Sequence, residues 1–439
     1  MPNTFAYIVL IIWPFISLIF YKRLPIVNAT FWTIVGGFLI LPVRTEIDFP
    51  LIPPLDKVSI PAIAALVGCK YIKKVKIRLI PKPGIERWLV LALLIIPFIT
   101  MMNNQETINF IPGLTFLDSV SSTINQYIIL IPLILGMQLI KTQEDQLLLF
   151  KLLVVASVFY SILILYEIRM SPQLHTTFYG FFPHSFLQQA RAGGFRAVVF
   201  IGHGLTVSMF VAIAIGASTI LLRQKIKTFG LSAWIVIIYL FVVLILNKTL
   251  GAFLLGLLLF SAVAWMPLNM IKRLSLLLVF CVLLYPILSV FDYFPHEKLV
   301  ELATDFDPLR GESLAYRFFH ENLLLEHAQN KLFFGWGGWG RNRLVDSVTD
   351  GYWIIIFGTF GLFGFVALFG LLAVSIWKAA KVISLIKDIN EQKLMLGHMM
   401  IVSIMMLDQL PNASLAAWML FLVGGLLGRA RNIKIENRK

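Results

Sequence analysis

Two places in this chain gather side chains that could bind an anion and move a proton. The first is Arg191-Ala-Gly-Gly-Phe-Arg196, with His203 seven residues further on. A guanidinium fork takes phosphate oxygens in bidentate, charge-assisted contacts. A histidine beside it can accept or donate a proton near neutral pH. If the segment is helical from residue 197, Arg196 and His203 lie two turns apart on one face, about 10 Å along the axis. An arginine buried in a membrane span normally faces a polar cavity or a partner. The plainer reading has Arg191 and Arg196 snorkelling to lipid headgroups, with His203 a satisfied core histidine.

The second place is the stretch 292–352, the longest interval without an apolar run. Glu312–Gln329 reads as an amphipathic helix, with Arg317, His320, Glu321, Leu324 and His327 on one face and Leu314, Phe318 and Leu325 in a stripe beside it. Arg317 and Glu321 are also an i,i+4 pair, which as a surface pair is worth only a few tenths of a kcal/mol. His320 and His327 sit two turns apart and cannot share one metal ion from a straight helix. Next, Gly335-Trp-Gly-Gly-Trp-Gly340 spells G-x-G-x-x-G but lacks the strand and helix of a dinucleotide-binding unit. Physically it is a tight turn carrying two aromatic platforms, Trp336 and Trp339, beside Arg341 and Arg343. Aromatic faces suit sugars and arginines suit phosphate, although Trp also serves as a membrane-interface anchor. Asp350 closes the stretch as a candidate base or a helix N-cap. The pairs Glu46-Ile-Asp48 and Asp305-Phe-Asp307 have a form that can hold Mg²⁺ or Mn²⁺. Such short patterns are common by chance, so no metal and no cofactor is assigned.

What must position these groups is a membrane domain. The chain has 439 residues, of which 59% are hydrophobic and only 14% charged, which excludes a soluble globular protein. Continuous apolar runs recur near 5–21, 26–42, 58–71, 88–102, 124–140, 147–166, 197–222, 229–247, 250–267, 274–290 and 353–377. A last run, 395–428, is interrupted by Asp408, Pro411 and Asn412 and reads as two spans. The expectation is an all-α polytopic membrane protein of about 12–13 spans. Residues 1–439 form one domain, and 292–352 form one large outer loop. The net charge of +14 does not point to nucleic acid. Its Lys and Arg residues fall in alternate short connections: Lys22-Arg23, Lys70 to Arg78, Lys141 and Lys151, Arg223 to Lys227, Lys272-Arg273, Lys378 to Lys387 and the tail from Arg429 to Lys439. By the positive-inside rule these are cytoplasmic, the N-terminus is outside, and the 292–352 loop is periplasmic. Phe5–Phe20 has no basic n-region before it and reads as a first span. Cys69 and Cys281 define no disulfide framework.

Several segments carry a family resemblance. Ser313-Leu-Ala-Tyr-Arg317, Phe333-Phe-Gly-Trp-Gly-Gly-Trp-Gly-Arg341, Val348-Thr-Asp-Gly-Tyr-Trp353 and Phe357-Gly-Thr-Phe-Gly361 are similar to segments of the bacterial O-antigen ligase and polymerase superfamily. Gly194-Phe-Arg196 with His203 resembles that family's arginine-bearing span. The resemblance implies a glycosyltransferase of the bacterial inner membrane. Such an enzyme moves a glycan from an undecaprenyl-diphosphate carrier to a glycan or lipid A-core hydroxyl at the outer face. It also implies Arg196 and Arg317 as the diphosphate-binding residues. Ligase members carry a histidine late in the large loop; this chain has none after His327, and Asp350 stands roughly in its place. Apart from the resemblance, a lipid diphosphate leaves once its charge is neutralised, which arginines can do without a metal. His203, His320 and Asp350 are the candidate bases, and direct displacement inverts the anomeric centre. A chain polymerase of the same superfamily is the near alternative. A transporter or flippase for a lipid-linked or anionic substrate is the alternative from another class.

Overall fold

The computed structural model describes residues 1–49, 52–108, 110–191 and 193–437. Pro50, Leu51, Asn109 and Ala192 of the expected outer connections, and Arg438 and Lys439 of the basic tail, lie outside the described residues.

The protein is an all-helical polytopic membrane protein. In chain order its helices are α1 Thr4–Arg23, α2 Ile26–Ile40, α3 Ser59–Val67, α4 Ile85–Met102, α5 Phe116–Leu139, α6 Gln143–Met170, the short α7 Leu174–Tyr179 and α8 Gly204–Arg223. There follow α9 Ala233–Leu246, α10 Leu250–Trp265, α11 Leu268–Val290, α12 His296–Phe306, α13 Pro308–Gln329, α14 Tyr352–Val382, α15 Ile389–Asp408 and α16 Ala417–Glu436. There are also two small hairpins, β1 (Ile47–Phe49) with β2 (Ile52–Leu55) and β3 (Ala190–Arg191) with β4 (Gly194–Phe195). Among the described residues seven helices, α1, α4, α5, α6, α8, α11 and α14, are long and apolar enough to cross a membrane. The run 395–428 does divide in two, as α15 and α16, with the turn at Asp408 to Asn412 between them.

The bundle closes on small residues. A Cβ on Gly424 would fall 2.1 Å from the Leu133 carbonyl oxygen, and one on Gly136 would fall 2.4 Å from that of Phe421. Helices α5 and α16 therefore approach backbone to backbone, the packing that membrane helices use when no hydrophobic drive separates them from lipid. Charged contacts gather the basic connections at one end. There Lys378 and Arg431 flank Glu86, while Arg429 holds Glu391, Glu436 and the Lys141 carbonyl oxygen. The alternation of helices sends the candidate residues to the opposite end.

Two departures from the expected spans matter. Helix α8 starts at Gly204, not near 197, because the 197–200 backbone gives its N–H groups to side chains of other helices. Asn247 accepts from Ala197 at 2.7 Å, Glu167 from Val198 and Val199 at 2.8 and 2.7 Å, and the Tyr160 hydroxyl from Phe200 at 3.1 Å. A non-helical buried segment is stable only when its donors are satisfied in this way. The second departure is a break inside α14 at Gly361 (φ 65°, ψ −164°), a conformation essentially restricted to glycine. The 332–337 segment is laced into that break. Trp336 and Gly337 donate to the Gly358 and Thr359 carbonyls, each at 2.9 Å, and Leu362 and Phe363 donate back to Leu332 and Phe333 at 2.8 and 3.2 Å.

Candidate functional site

The expected two-turn separation of Arg196 and His203 is replaced by direct neighbourhood. Since 197–203 is not helical, the chain folds back and the Arg196 side chain lies on Gly204, where a Cβ would meet its Cδ at 2.1 Å. His203 is the N-cap of α8: its Nδ1 accepts from the Leu205 N–H at 3.1 Å. With Nδ1 used as an acceptor, the neutral ring carries its proton on Nε2 and is a donor to whatever faces it. Burial, the adjacent His184 and the Arg196 and Arg317 charges push His203 down to about 4. It is therefore neutral at physiological pH. His184 packs edge-on against it with ring centroids 4.6 Å apart.

Arg196 is only 6% exposed, and its Nε is buried without a partner. The buried Gln189 Oε1 beside Gly204 is likewise unpartnered. Burial first, then Arg191, Arg317 and Arg310, push the guanidinium down to about 10. A buried cation among cations, against the positive end of a helix, is an arrangement that an anion would relieve. Arg191 stays exposed at the β3 strand, with its Nε on the Gln188 carbonyl at 3.3 Å.

Helix α13 carries the opposing arginine. Asp307 caps it by accepting from Leu309 N–H at 3.0 Å, and Pro308 begins it four residues earlier than expected. Arg317 does not take Glu321, the partner its spacing offers. Its Nε lies 3.4 Å from Asp350 Oδ2, and its Nη1 donates to the Pro411 carbonyl at 3.1 Å. Asp350 is fixed from two sides. His320 Nδ1 accepts from Val348 N–H at 3.4 Å, and Tyr352 N–H donates to the Gln409 and Asn412 carbonyls at 3.0 and 3.2 Å. Asp408 shapes the same turn by accepting from Asn412 Nδ2 at 2.7 Å and from the Ser414 hydroxyl.

Glu321 is the residue that sequence reasoning passed over. Its carboxylate is largely buried, accepts from the Tyr285 hydroxyl and from Trp353 Nε1 at 3.2 Å, and lies 4.0 Å from His296 Nε2. Burial is the main cause that raises it to about 7. A signal was present: Leu314, Phe318, Glu321 and Leu325 follow a 4-3-4 spacing, which puts the acid inside the apolar stripe.

The tryptophan-glycine turn divides into unlike parts. Trp336 is buried, donates from Nε1 to the His327 carbonyl at 2.8 Å and stacks on the His327 ring at 4.6 Å. Arg341 is 2% exposed and binds the Glu106 and Pro112 carbonyls, both at 2.9 Å, and the Trp336 carbonyl at 3.3 Å. These two hold the loop together. Trp339 is 55% exposed and Arg343 is exposed.

Two cavities meet at Asp350. One, of about 420 Å³, is lined by His184, His203, Arg343, Ser347, Asp350 and Asn412, among others. The other, of about 190 Å³, is lined by Arg317, Glu321, Tyr285 and Asp350 with an apolar remainder. Arg196 lies behind the first, against Gly204, between the lining residues His203 and Leu205. Among the described residues no three His, Cys, Asp or Glu side chains cluster as metal ligands. No protein-family model matches the chain, and no curated protein matches it either.

Proposed function

We propose that this protein transfers a glycan from a lipid-diphosphate carrier of the undecaprenyl type to an acceptor hydroxyl, at the periplasmic face of a bacterial inner membrane, in the manner of an O-antigen ligase. The observation that carries the reading is Arg196: buried, unpartnered at Nε, set on the N-terminus of α8 and electrically coupled to Arg317. A diphosphate supplies the negative charge that this arrangement lacks, and its polyprenyl tail suits a bundle of apolar helices.

The chemistry then follows from the groups at the cavities. The acceptor oxygen attacks the anomeric carbon as the bond to the diphosphate oxygen breaks, so the configuration inverts. The leaving diphosphate keeps the electron pair, and Arg196 and Arg317 neutralise it. The acceptor proton goes to Asp350, which lies on both cavities. His203 and His320 each use Nδ1 to accept from a backbone N–H, so they serve as donors and as positioning groups. Of the three candidate bases, that leaves the Asp350 carboxylate.

The broken helix α14 favours a second reading, a transporter, because such proteins use interrupted helices at their substrate sites. Here, however, the freed carbonyls of Gly358 and Thr359 are taken by the 336–337 backbone, which leaves none of them for a substrate. The transferase reading is therefore preferred.

Arg196→Lys and Arg317→Lys keep the charge and remove the fork. Each is expected to lower glycan transfer in isolated membranes by 10-fold or more without changing protein level. Unchanged transfer in both variants would remove the diphosphate assignment. Deleting the gene separates the outcomes: surface glycans that lose attachment indicate a ligase, and glycans that lose length indicate a polymerase.

A further inference from the structure

A third cavity, of about 470 Å³, lies at the same end of the bundle and has a different chemistry. One wall is the first part of α5, where Ser121, Ser122, Asn125 and Gln126 line it. Their spacing of one, three and one residues puts all four on one face. Their neighbours bond back to the protein: Ser119 donates to the Phe116 carbonyl at 2.7 Å and Thr123 to that of Leu94 at 3.1 Å. The four lining side chains hydrogen-bond to no described group. Open amides and hydroxyls on a membrane-spanning helix are costly unless something polar meets them.

The opposite wall supplies an aromatic face. Trp339 lines the cavity, is 55% exposed and is held at φ 56° by the glycine turn, with Tyr352 nearby on the same wall. The charged groups lining it are Glu46 and Asp56, both acidic. Asp56 Oδ1 is already engaged by the Val58 and Ser59 N–H groups at 2.9 and 2.8 Å, while its Oδ2 and the Glu46 carboxylate carry no such bond. No lining residue is cationic, in a chain whose net charge is +14. Phosphate and uronate ligands are therefore disfavoured. Amides, hydroxyls, an indole face and carboxylate oxygens match a hydroxyl-rich, neutral or amine-bearing sugar. Tyr352 on this cavity and Asp350 on the other two are two residues apart, so their backbones lie within about 7 Å.

We propose that the groove between α5 and Trp339 binds a neutral or amine-bearing oligosaccharide. Its role as the site for the accepting glycan rests on the transferase reading; the binding itself does not.

The test uses the full-length protein in nanodiscs and calorimetric titration with four probes: an N-acetylglucosamine trimer, the de-N-acetylated glucosamine trimer, a galacturonate trimer and inorganic pyrophosphate. The first two are expected to bind at least 10-fold more tightly than the galacturonate trimer. Gln126→Leu and Trp339→Ala are each expected to weaken them 10-fold or more without affecting pyrophosphate. Failure of both amino-sugar trimers to bind, indifference to both substitutions, or tighter binding of the galacturonate trimer would overturn the proposal. Pyrophosphate binding that ignores Arg196→Lys would instead remove the diphosphate reading while the saccharide result stands, so the two failures are separable.

Discussion

Arg317 and Glu321 occupy the spacing of a helix-surface ion pair, yet each turns to a different partner, and that divergence is what gives Glu321 an unusual titration. Its folded-state value near 7 lies above the ordinary carboxylate value of 4.5 because burial disfavours the charge. The sign follows from proton counting. Below pH 4.5 both folded and unfolded states hold the proton, and the group costs nothing. As pH rises through 7 the unfolded state has long released its proton, and the folded state must ionise a buried acid. The stability difference lost across that window is about 3 kcal/mol for an isolated group. In detergent, the wild-type unfolding midpoint should therefore fall between pH 5 and pH 8. Glu321→Gln should flatten that slope. A mutant with the same pH slope as the wild type would show that some other group is responsible. Read from sequence, Glu321 falls on the face of Arg317 and His320, although its 4-3-4 spacing with Leu314, Phe318 and Leu325 held the cue to its apolar surroundings. The partners, Tyr285 and Trp353, come from other helices and were not legible there.

At the scale of elements, hydropathy located the helices well because each must satisfy its own backbone in lipid, and apolar length is sufficient to announce that. It failed where a segment borrows partners. Residues 197–203 are as apolar as a helix, but Glu167, Asn247 and Tyr160 take their N–H groups, and nothing local announces acceptors 31, 50 and 40 residues away. The break in α14 had a local cue, the Gly358 and Gly361 pair, but its cause is the docked 332–337 segment. A Cβ at Gly361 would sit 2.3 Å from the Phe333 carbonyl carbon, and one at Gly335 would sit 2.4 Å from that of Thr359. Gly361→Ala is expected to destabilise the protein by at least about 3 kcal/mol, seen as a lower thermal midpoint or lost expression. Gly338, where a Cβ would meet nothing within 4 Å, is the control, and Gly338→Ala should change stability by less than about 0.5 kcal/mol. Equal effects at the two positions would mean that the break does not depend on glycine.

For the whole molecule, charge asymmetry is the feature that sequence carried furthest. The connections rich in Lys and Arg meet at one end, with Glu86 and Glu391 among them, while Arg196, Arg317, His203 and Asp350 assemble at the other. That assembly joins parts of the chain more than 100 residues apart, a convergence that no spacing rule encodes. If the positive-inside rule sets the orientation, a cysteine introduced as Ser347→Cys should react with an impermeant thiol reagent added to intact cells. Labelling only after the cytoplasm is opened would invert the assignment of both ends. Exposed Cys281 requires Cys281→Ser in the same background.

The lacing of residues 332–337 into α14 bears on how the chain is made. Residues 332–337 are synthesised before the helix they mend, so they can dock only once α14 has formed. Until then the carbonyls of Gly358 and Thr359 have no docked partner. The large loop is thus no detachable module. Transplanting it without α14, or replacing it with a neutral spacer, would leave a gap in a span rather than a shorter but sound protein.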